Sequence, residues 1–300
     1  MKWQGVMPAI TTCFDAALNV DLAFITEHSS WLIESGCTAI IPLGSLGEGA
    51  TLDFDEKLRV IDACVAGAAG RAPVAPAISA LRTPDAVKLA KAAADRGAQG
   101  LMVLPPYVYK GDWREMKAHV SAVIGATPLS AMLYNNPISY GTDFLPEQIA
   151  ELAGAHENLH AVKESSADVR RITAIRALVG GRLQVSAGVD DLILEAIGAG
   201  AVGWVAGLVN ALPRESVALF QHCFRGEREK AFELYRWFLP LLRMDTVPKF
   251  VQLIKLVQQE AGKGNARVRP PRLELAGAEL AETRATIQRA LASRPRAAAG

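Results

Sequence analysis

The chain has 300 residues, of which 50% are hydrophobic and 21% charged, a globular balance that excludes a disordered or fibrous protein. Thirty-two Lys plus Arg against thirty-one Asp plus Glu leave a formal net charge of +1, so there is no basic field for nucleic acid or an anionic membrane. The length exceeds the usual ~100–200 residues of one domain, but a closed α/β barrel reaches it as a single domain.

Four- to seven-residue apolar runs alternate with helical patterns from residue 8 to about 224. The candidate strands are 8–12, 39–43, 74–78, 101–104, 129–133, 160–163, 183–186 and 202–205. Most are apolar on both faces, as parallel strands covered by helices should be. Amphipathic segments lie between them at 21–35, 55–69, 84–96, 113–124, 146–153 and 169–179, and Pro84 and Pro146 mark first helical turns. A degenerate repeat of helix, glycine, small residue and strand recurs at Gly36, Gly97 and Gly200. Eight βα units favour a (β/α)8 TIM barrel over an open sheet.

Residues 1–225 thus read as the barrel and 226–292 as a C-terminal helical extension, with patterns at 227–243, 247–260 and 274–292; residues 293–300 read as a frayed, disordered tail. Gly198-Ala199-Gly200-Ala201-Val202-Gly203 matches GxGxxG, but a helix precedes it and a strand follows, the reverse of a dinucleotide fingerprint.

Cys13, Cys37, Cys64 and Cys223 form no CxxC pair and read as reduced, buried residues. His156 and His160 stand four apart, yet Glu157-Asn158-Leu159 between them reads as a turn into a strand, so no metal is expected. No basic segment with an apolar core opens the chain, which leads us to expect a cytoplasmic protein. The longest uncharged stretch, 196–213, carries four glycines and a proline and reads as strand and loops, not a membrane span.

In a barrel, chemistry sits where strands run into the βα loops. One strand runs into Gly44-Ser45-Leu46-Gly47-Glu48, whose glycines let backbone N–H groups approach an anion, or which form an ordinary turn. Others end in Pro105-Pro106-Tyr107-Val108-Tyr109, in Tyr134-Asn135-Asn136-Pro137 and in Lys163-Glu164-Ser165-Ser166. Lys163 terminates an apolar run, so its amine should lie at the barrel mouth. Burial would lower its pKa and free it to attack a carbonyl; the alternatives are a lysine that reaches solvent or one that pairs with Glu164. Tyr134 on the neighbouring strand is a proton shuttle or a packed core residue.

Together, Gly-x-x-Gly-Glu, Tyr-Asn-x-Pro, Lys-Glu and Gly188-Val189-Asp190-Asp191 resemble the dihydrodipicolinate synthase / N-acetylneuraminate lyase family of class I aldolases over roughly residues 6–260. The resemblance implies a covalent Schiff base on Lys163 with no cofactor and proton transfer by Tyr134 assisted by Ser45. It also implies substrate contacts from Gly44, Leu46, Tyr107, Asn136, Ser139, Gly188 and Val205. A small-molecule substrate and a homo-oligomer, dimer or tetramer, are implied as well.

Three departures bear on substrate. The synthase branch usually carries a second threonine where Leu46 stands, a second tyrosine where Val108 stands, and an arginine where Ser139 stands. A serine cannot replace a bidentate carboxylate clamp. Tyr-Asn-Asn-Pro-Ile-Ser-Tyr-Gly, Lys-Glu-Ser-Ser-Ala-Asp-Val-Arg-Arg and Arg236-Trp237-Phe238-Leu239-Pro240-Leu241-Leu242 look like a branch that deaminates 1-pyrroline-4-hydroxy-2-carboxylate in hydroxyproline catabolism. The alternatives are a pyruvate-dependent aldolase, a sugar-acid dehydratase, or a non-catalytic ligand-sensing barrel.

Overall fold

The computed structural model describes residues 1–107 and 109–295. Its strands are β1 (Gly5–Pro8), β2 (Ala77–Ile78), β3 (Gly100–Val103), β4 (Ser130–Asn135), β5 (Leu159–Glu164), β6 (Gln184–Ala187) and β7 (Gly203–Ala206). All are parallel, in the order β1-β7-β6-β5-β4-β3-β2.

Residues 38–42 fill the gap between β2 and β1. On one side Thr38 N donates to Val6 O at 2.8 Å and Ile41 N to Pro8 O at 2.9 Å. On the other, Ala75 N donates to Ile40 O at 2.9 Å and Ala77 N to Pro42 O at 2.8 Å. The sheet therefore closes into a (β/α)8 barrel whose predicted strand 39–43 survives only as two bridges, Ala9–Ile41 and Ile40–Val74. Pro8, Pro42, Pro73 and Pro76 explain the fragmentation, because each lacks the N–H that a continuous ladder needs. The predicted strand 8–12 likewise lies earlier, at Gly5–Pro8.

Helices α1 (Leu22–Glu34), α2 (Phe54–Ala68), α3 (Thr83–Asp95), α4 (Trp113–Ile124), the single turn α5 (Pro137–Tyr140), α6 (Pro146–Ala155), α7 (Arg170–Val179), α8 (Ile193–Gly198) and α9 (Pro213–Phe224) run between and after the strands. Their starts follow from side chains that satisfy the first free N–H groups. The Asp21 carboxylate accepts from Phe24 N, and Asp53 with Glu56 and Asp112 with Glu115 form reciprocal capping boxes, each cap worth about 1 kcal/mol. The repeat glycines end their helices with φ of +99° at Gly36, +84° at Gly97 and +105° at Gly200, a region that a side chain would strain.

Strands β3 and β4 are buried along their whole length. At the end of the barrel opposite the βα loops, Trp3 is fully buried and its indole N–H donates to Ser130 Oγ at 2.8 Å. Helices α10 (Arg228–Leu242), α11 (Phe250–Glu260) and α12 (Gly277–Ala292) follow the barrel. Phe238, Leu241, Val251, Ile254 and Val257 join the same apolar core, and Tyr235 donates to Asp191 O at 2.6 Å. Ser293 ends α12, donating from its hydroxyl to Arg289 O at 2.9 Å. Of the expected tail, residues 296–300 lie outside the described residues, as does Val108 in the aromatic loop.

Candidate active site

Lys163 occupies the penultimate position of β5, in register with Tyr134 on β4 and Ser186 on β6. Residues in register on neighbouring strands point to the same face, so these three share the barrel interior. Asn135 and Glu164, the next pair, turn the other way. Lys163 is 6% exposed and its Nζ lies 4.2 Å from the centroid of the Tyr134 ring. Among the described residues it has no carboxylate within 4.0 Å, so it neither reaches solvent freely nor pairs with Glu164. Burial pushes its pKa down from 10.5 to about 8, against the pull of Asp245 and then Asp190. That displacement disfavours the ammonium by roughly 3 kcal/mol.

Gly188 gives the lysine its path. A Cβ there would stand 1.9 Å from Ser165 Oγ and 2.6 Å from Lys163 Cε, far inside van der Waals contact.

Tyr134 is nearly buried, and burial pushes its phenol up to about 12. Its oxygen accepts a hydrogen bond from Asn136 Nδ2 at 2.9 Å. The Asn136 Oδ1 accepts from Ser139 N at 3.0 Å and so starts α5. That turn carries Tyr140 inward. The Tyr140 ring packs edge-on against Tyr134 at 5.8 Å and lies 6.0 Å from Tyr107, and its hydroxyl hydrogen-bonds Ser45 Oγ. Burial raises the Tyr140 phenol well above its ordinary value. The anticipated Tyr134–Ser45 pairing is therefore replaced by a Ser45–Tyr140 bond, because the α5 turn brings Tyr140 to the Ser45 hydroxyl.

The glycine turn leaves two of its amides, the backbone N–H groups of Ser45 and Leu46, without a protein partner among the described residues. Gly47 O accepts from Thr12 Oγ1 at 2.6 Å, and a Cβ on Gly44 would meet Met102 in ordinary van der Waals contact at 3.8 Å. Glu48, the acidic end of the motif, is not directed at a ligand. Buried and left-handed, it pairs with Lys255 Nζ at 2.9 Å and accepts from Arg269 N at 3.0 Å. Lys255 also donates to Thr12 O at 2.8 Å, so α11 braces the turn from behind.

Ser45, Tyr107, Tyr134, Tyr140, Lys163 and Gly188 are thus brought into one linked group. Asn136 positions Tyr134 and α5. Ser139 is exposed at the rim, and Val205 is buried on β7 beside Met7. His156 bonds Ser121 and His160 bonds Ser130, each at 2.8 Å, from a helix cap and a strand respectively. Among the described residues no group of His, Cys, Asp or Glu gathers at metal distances, and no helix is long and apolar enough to cross a membrane.

Two acids were not legible as site groups. Asp190 is buried and raised to about 6 by burial, opposed by N–H donation from Leu208 at 2.8 Å, Trp204 Nε1 at 2.9 Å and Gly207 at 3.1 Å. Asp245 follows α10 in the extension, and its Oδ1 sits 2.1 Å from the place a Cβ on Gly207 would occupy. Burial, and then Asp190, raise its pKa well above its ordinary value. Only the GVDD segment hinted at Asp190; the packing of the extension over β7, which delivers Asp245, has no local signature.

The model of the dihydrodipicolinate synthetase family matches residues 2–290. A 4-hydroxy-tetrahydrodipicolinate synthase from Agrobacterium fabrum is 32% identical over 269 residues, covering 90% of this chain and 92% of its own. The enzyme of that name from Geotalea uraniireducens is also 32% identical, covering 92% and 94%. Among solved structures, a putative dihydrodipicolinate synthetase from Pseudomonas aeruginosa superposes with a TM-score of 0.91 at 32% identity, covering 97% of this chain and 100% of that one. A dihydrodipicolinate synthase from Bacillus anthracis superposes with a TM-score of 0.92 at 29% identity, covering 99% and 100%.

Proposed function

Since the chain belongs to the dihydrodipicolinate synthetase family of Schiff-base-forming lyases, we propose that it deaminates 1-pyrroline-4-hydroxy-2-carboxylate to 2-oxoglutarate semialdehyde and ammonia, with Lys163 as nucleophile. The observation that carries the nucleophile is a buried amine 4.2 Å from the Tyr134 ring with no ion-pair partner in contact among the described residues, where burial pushes its pKa down to about 8. Such an amine is neutral in a useful fraction at neutral pH and is its own electron sink once condensed, so the chemistry needs no cofactor.

The reaction balances without an oxidant. Lys163 Nζ adds to C2 of the cyclic imine, and the C2–N bond breaks to open the ring and leave a primary amine on C5. The protonated Schiff base acidifies C3–H; loss of that proton and of the C4 hydroxyl expels one water. Loss of a C5 proton with reprotonation at C3 moves the double bond to C4–C5 as an enamine, which tautomerises to a C5 imine; two hydrolyses, at C5 and at C2, then release ammonia and the semialdehyde for a net uptake of one water. Tyr134 serves as the acid and base beside the lysine, and the Ser45–Tyr140 bond fixes the neighbouring phenol. The 2-carboxylate would lie on the amides of Ser45 and Leu46. The protomer would work within a homo-oligomer in the cytoplasm.

The substrate choice rests on what the pocket lacks. An arginine clamp for a second carboxylate is replaced by the exposed Ser139. The guanidinium whose charge reaches Tyr140, that of Arg272, is drawn 4.0 Å from Glu48. The names of the relatives favour the second reading, a pyruvate-dependent aldolase or synthase. Purified protein offered the hydroxypyrroline carboxylate, 4-hydroxy-2-oxo acids, and pyruvate with aspartate semialdehyde decides between them. Ammonia from the first supports deamination; condensation in the last, with no ammonia from the first, would replace it with the synthase reading.

A further inference from the structure

The Tyr134 phenol carries a proton with no acceptor. Its oxygen accepts from Asn136 Nδ2, and no protein atom takes its own hydroxyl proton among the described residues. Ser45, the expected partner, is held by Tyr140 instead. A second hydroxyl without a partner lies close by. Ser165 is 2% exposed and its Oγ makes no hydrogen bond. Its backbone N–H donates to Asn135 O at 2.9 Å, which pins it beside the residue that follows Tyr134. Its side chain packs with that of Lys163 over the bare Cα of Gly188. The point that a Cβ there would occupy is 1.9 Å from Ser165 Oγ and 2.6 Å from Lys163 Cε. Ser166, by contrast, serves its own loop, donating its N–H to Glu164 Oε1 at 2.7 Å and accepting from Asp168 N at 3.3 Å. The Ser165 hydroxyl also acts against the burial that raises the Tyr134 phenol. A buried hydroxyl left unpaired costs stability, so one kept against the nucleophile marks a group that finds its partner during the reaction.

We propose that Ser165 is the proton-relay partner of Tyr134, a positioning residue that acts through the phenol. Tyr134 accepts the C3 proton of the Lys163 adduct only by giving up its own. Ser165 Oγ takes that proton and passes its hydroxyl proton to solvent water, and the reverse shift reprotonates the carbon. The proposal rests on the Schiff-base reading of Lys163 with Tyr134 as acid and base, and holds for either substrate class.

Pyruvate is the probe, offered in D2O to the purified, full-length protein. Deuterium entering its methyl group, followed by NMR, reads proton transfer at C3; borohydride trapping on Lys163 reads adduct formation. Ser165→Ala is expected to slow exchange by about 100-fold and to keep trapping within about threefold of wild type. It should unfold at or above the wild-type temperature, because the deleted hydroxyl has no partner. In a Tyr134→Phe background it should slow exchange no further, as for residues that act as a unit. Unchanged exchange in Ser165→Ala, an equal loss of exchange and trapping, a further loss in the double variant, or a lower unfolding temperature overturns the proposal. So does wild-type protein that forms the adduct but exchanges no deuterium. Wild-type protein with no adduct on Lys163 overturns the Schiff-base reading itself, before any variant is made.

Discussion

Lys163 Nζ stands 4.2 Å from the centre of the Tyr134 ring, on strands where the two residues are register partners. The ring face favours an ammonium, whereas burial favours the neutral amine, and burial prevails. The rate of pyruvate adduct formation should therefore rise with pH through a midpoint near 8, because the lysine loses its proton there. Initial trapping rates across a buffer series measure it. A midpoint near the ordinary lysine value of 10.5 would show that the amine is not desolvated as described.

Tyr134→Phe keeps the ring under the lysine and deletes the hydroxyl that Asn136 holds. Turnover should fall by about 10²–10⁴-fold, while a pyruvate adduct still accumulates on borohydride treatment. Steady-state rates together with intact mass resolve the two effects, and near-normal turnover would remove Tyr134 from proton transfer.

Ser45→Ala and Tyr140→Phe each break the same hydrogen bond. Their effects on kcat/KM should be less than additive in the double variant, as for residues that act as a unit. Strict additivity would mean that the bond does not operate in the working enzyme.

Gly188→Ala places a methyl on the lysine's own path. Overpacking of this kind costs about 1–3 kcal/mol, so a modest drop in Tm should accompany a large loss of adduct formation. Full trapping by this variant would contradict the position given to the Lys163 side chain.

Lys255→Met removes one half of the buried pair with Glu48. Breaking such a pair from one side costs about 3–5 kcal/mol because the remaining charge is stranded. Chemical denaturation should register that loss, and weaker 2-oxo acid binding should accompany it if the glycine turn loosens.

What could be read beforehand divides along physical lines. The helix starts at Pro84 and Pro146 and the αL glycines at 36, 97 and 200 are local features, so their positions followed from neighbouring residues, whereas the caps Asp53 and Asp112 lie just ahead of the segments expected from 55 and 113. The expected strand 39–43 lies in the gap between β2 and β1 but is reduced to two bridges by prolines on both sides of the pairing, whose effect depends on partners distant in sequence. Lys163 and Tyr134 were legible because each ends an apolar run. Glu48 was legible as part of a motif but not as the partner of Lys255, since that pair spans the barrel and the extension. Tyr140 in contact with Ser45 and Asp245 against Gly207 arise from tertiary packing alone.

Lys163 is the proposed nucleophile. Sodium borohydride added with pyruvate, followed by intact mass and peptide mapping, tests it directly. One reduced pyruvate adduct per chain is expected, located on Lys163 and absent from Lys163→Ala protein that unfolds at a normal temperature. An adduct on another lysine, or none while the protein still turns over a 2-oxo or cyclic imino acid, would contradict it.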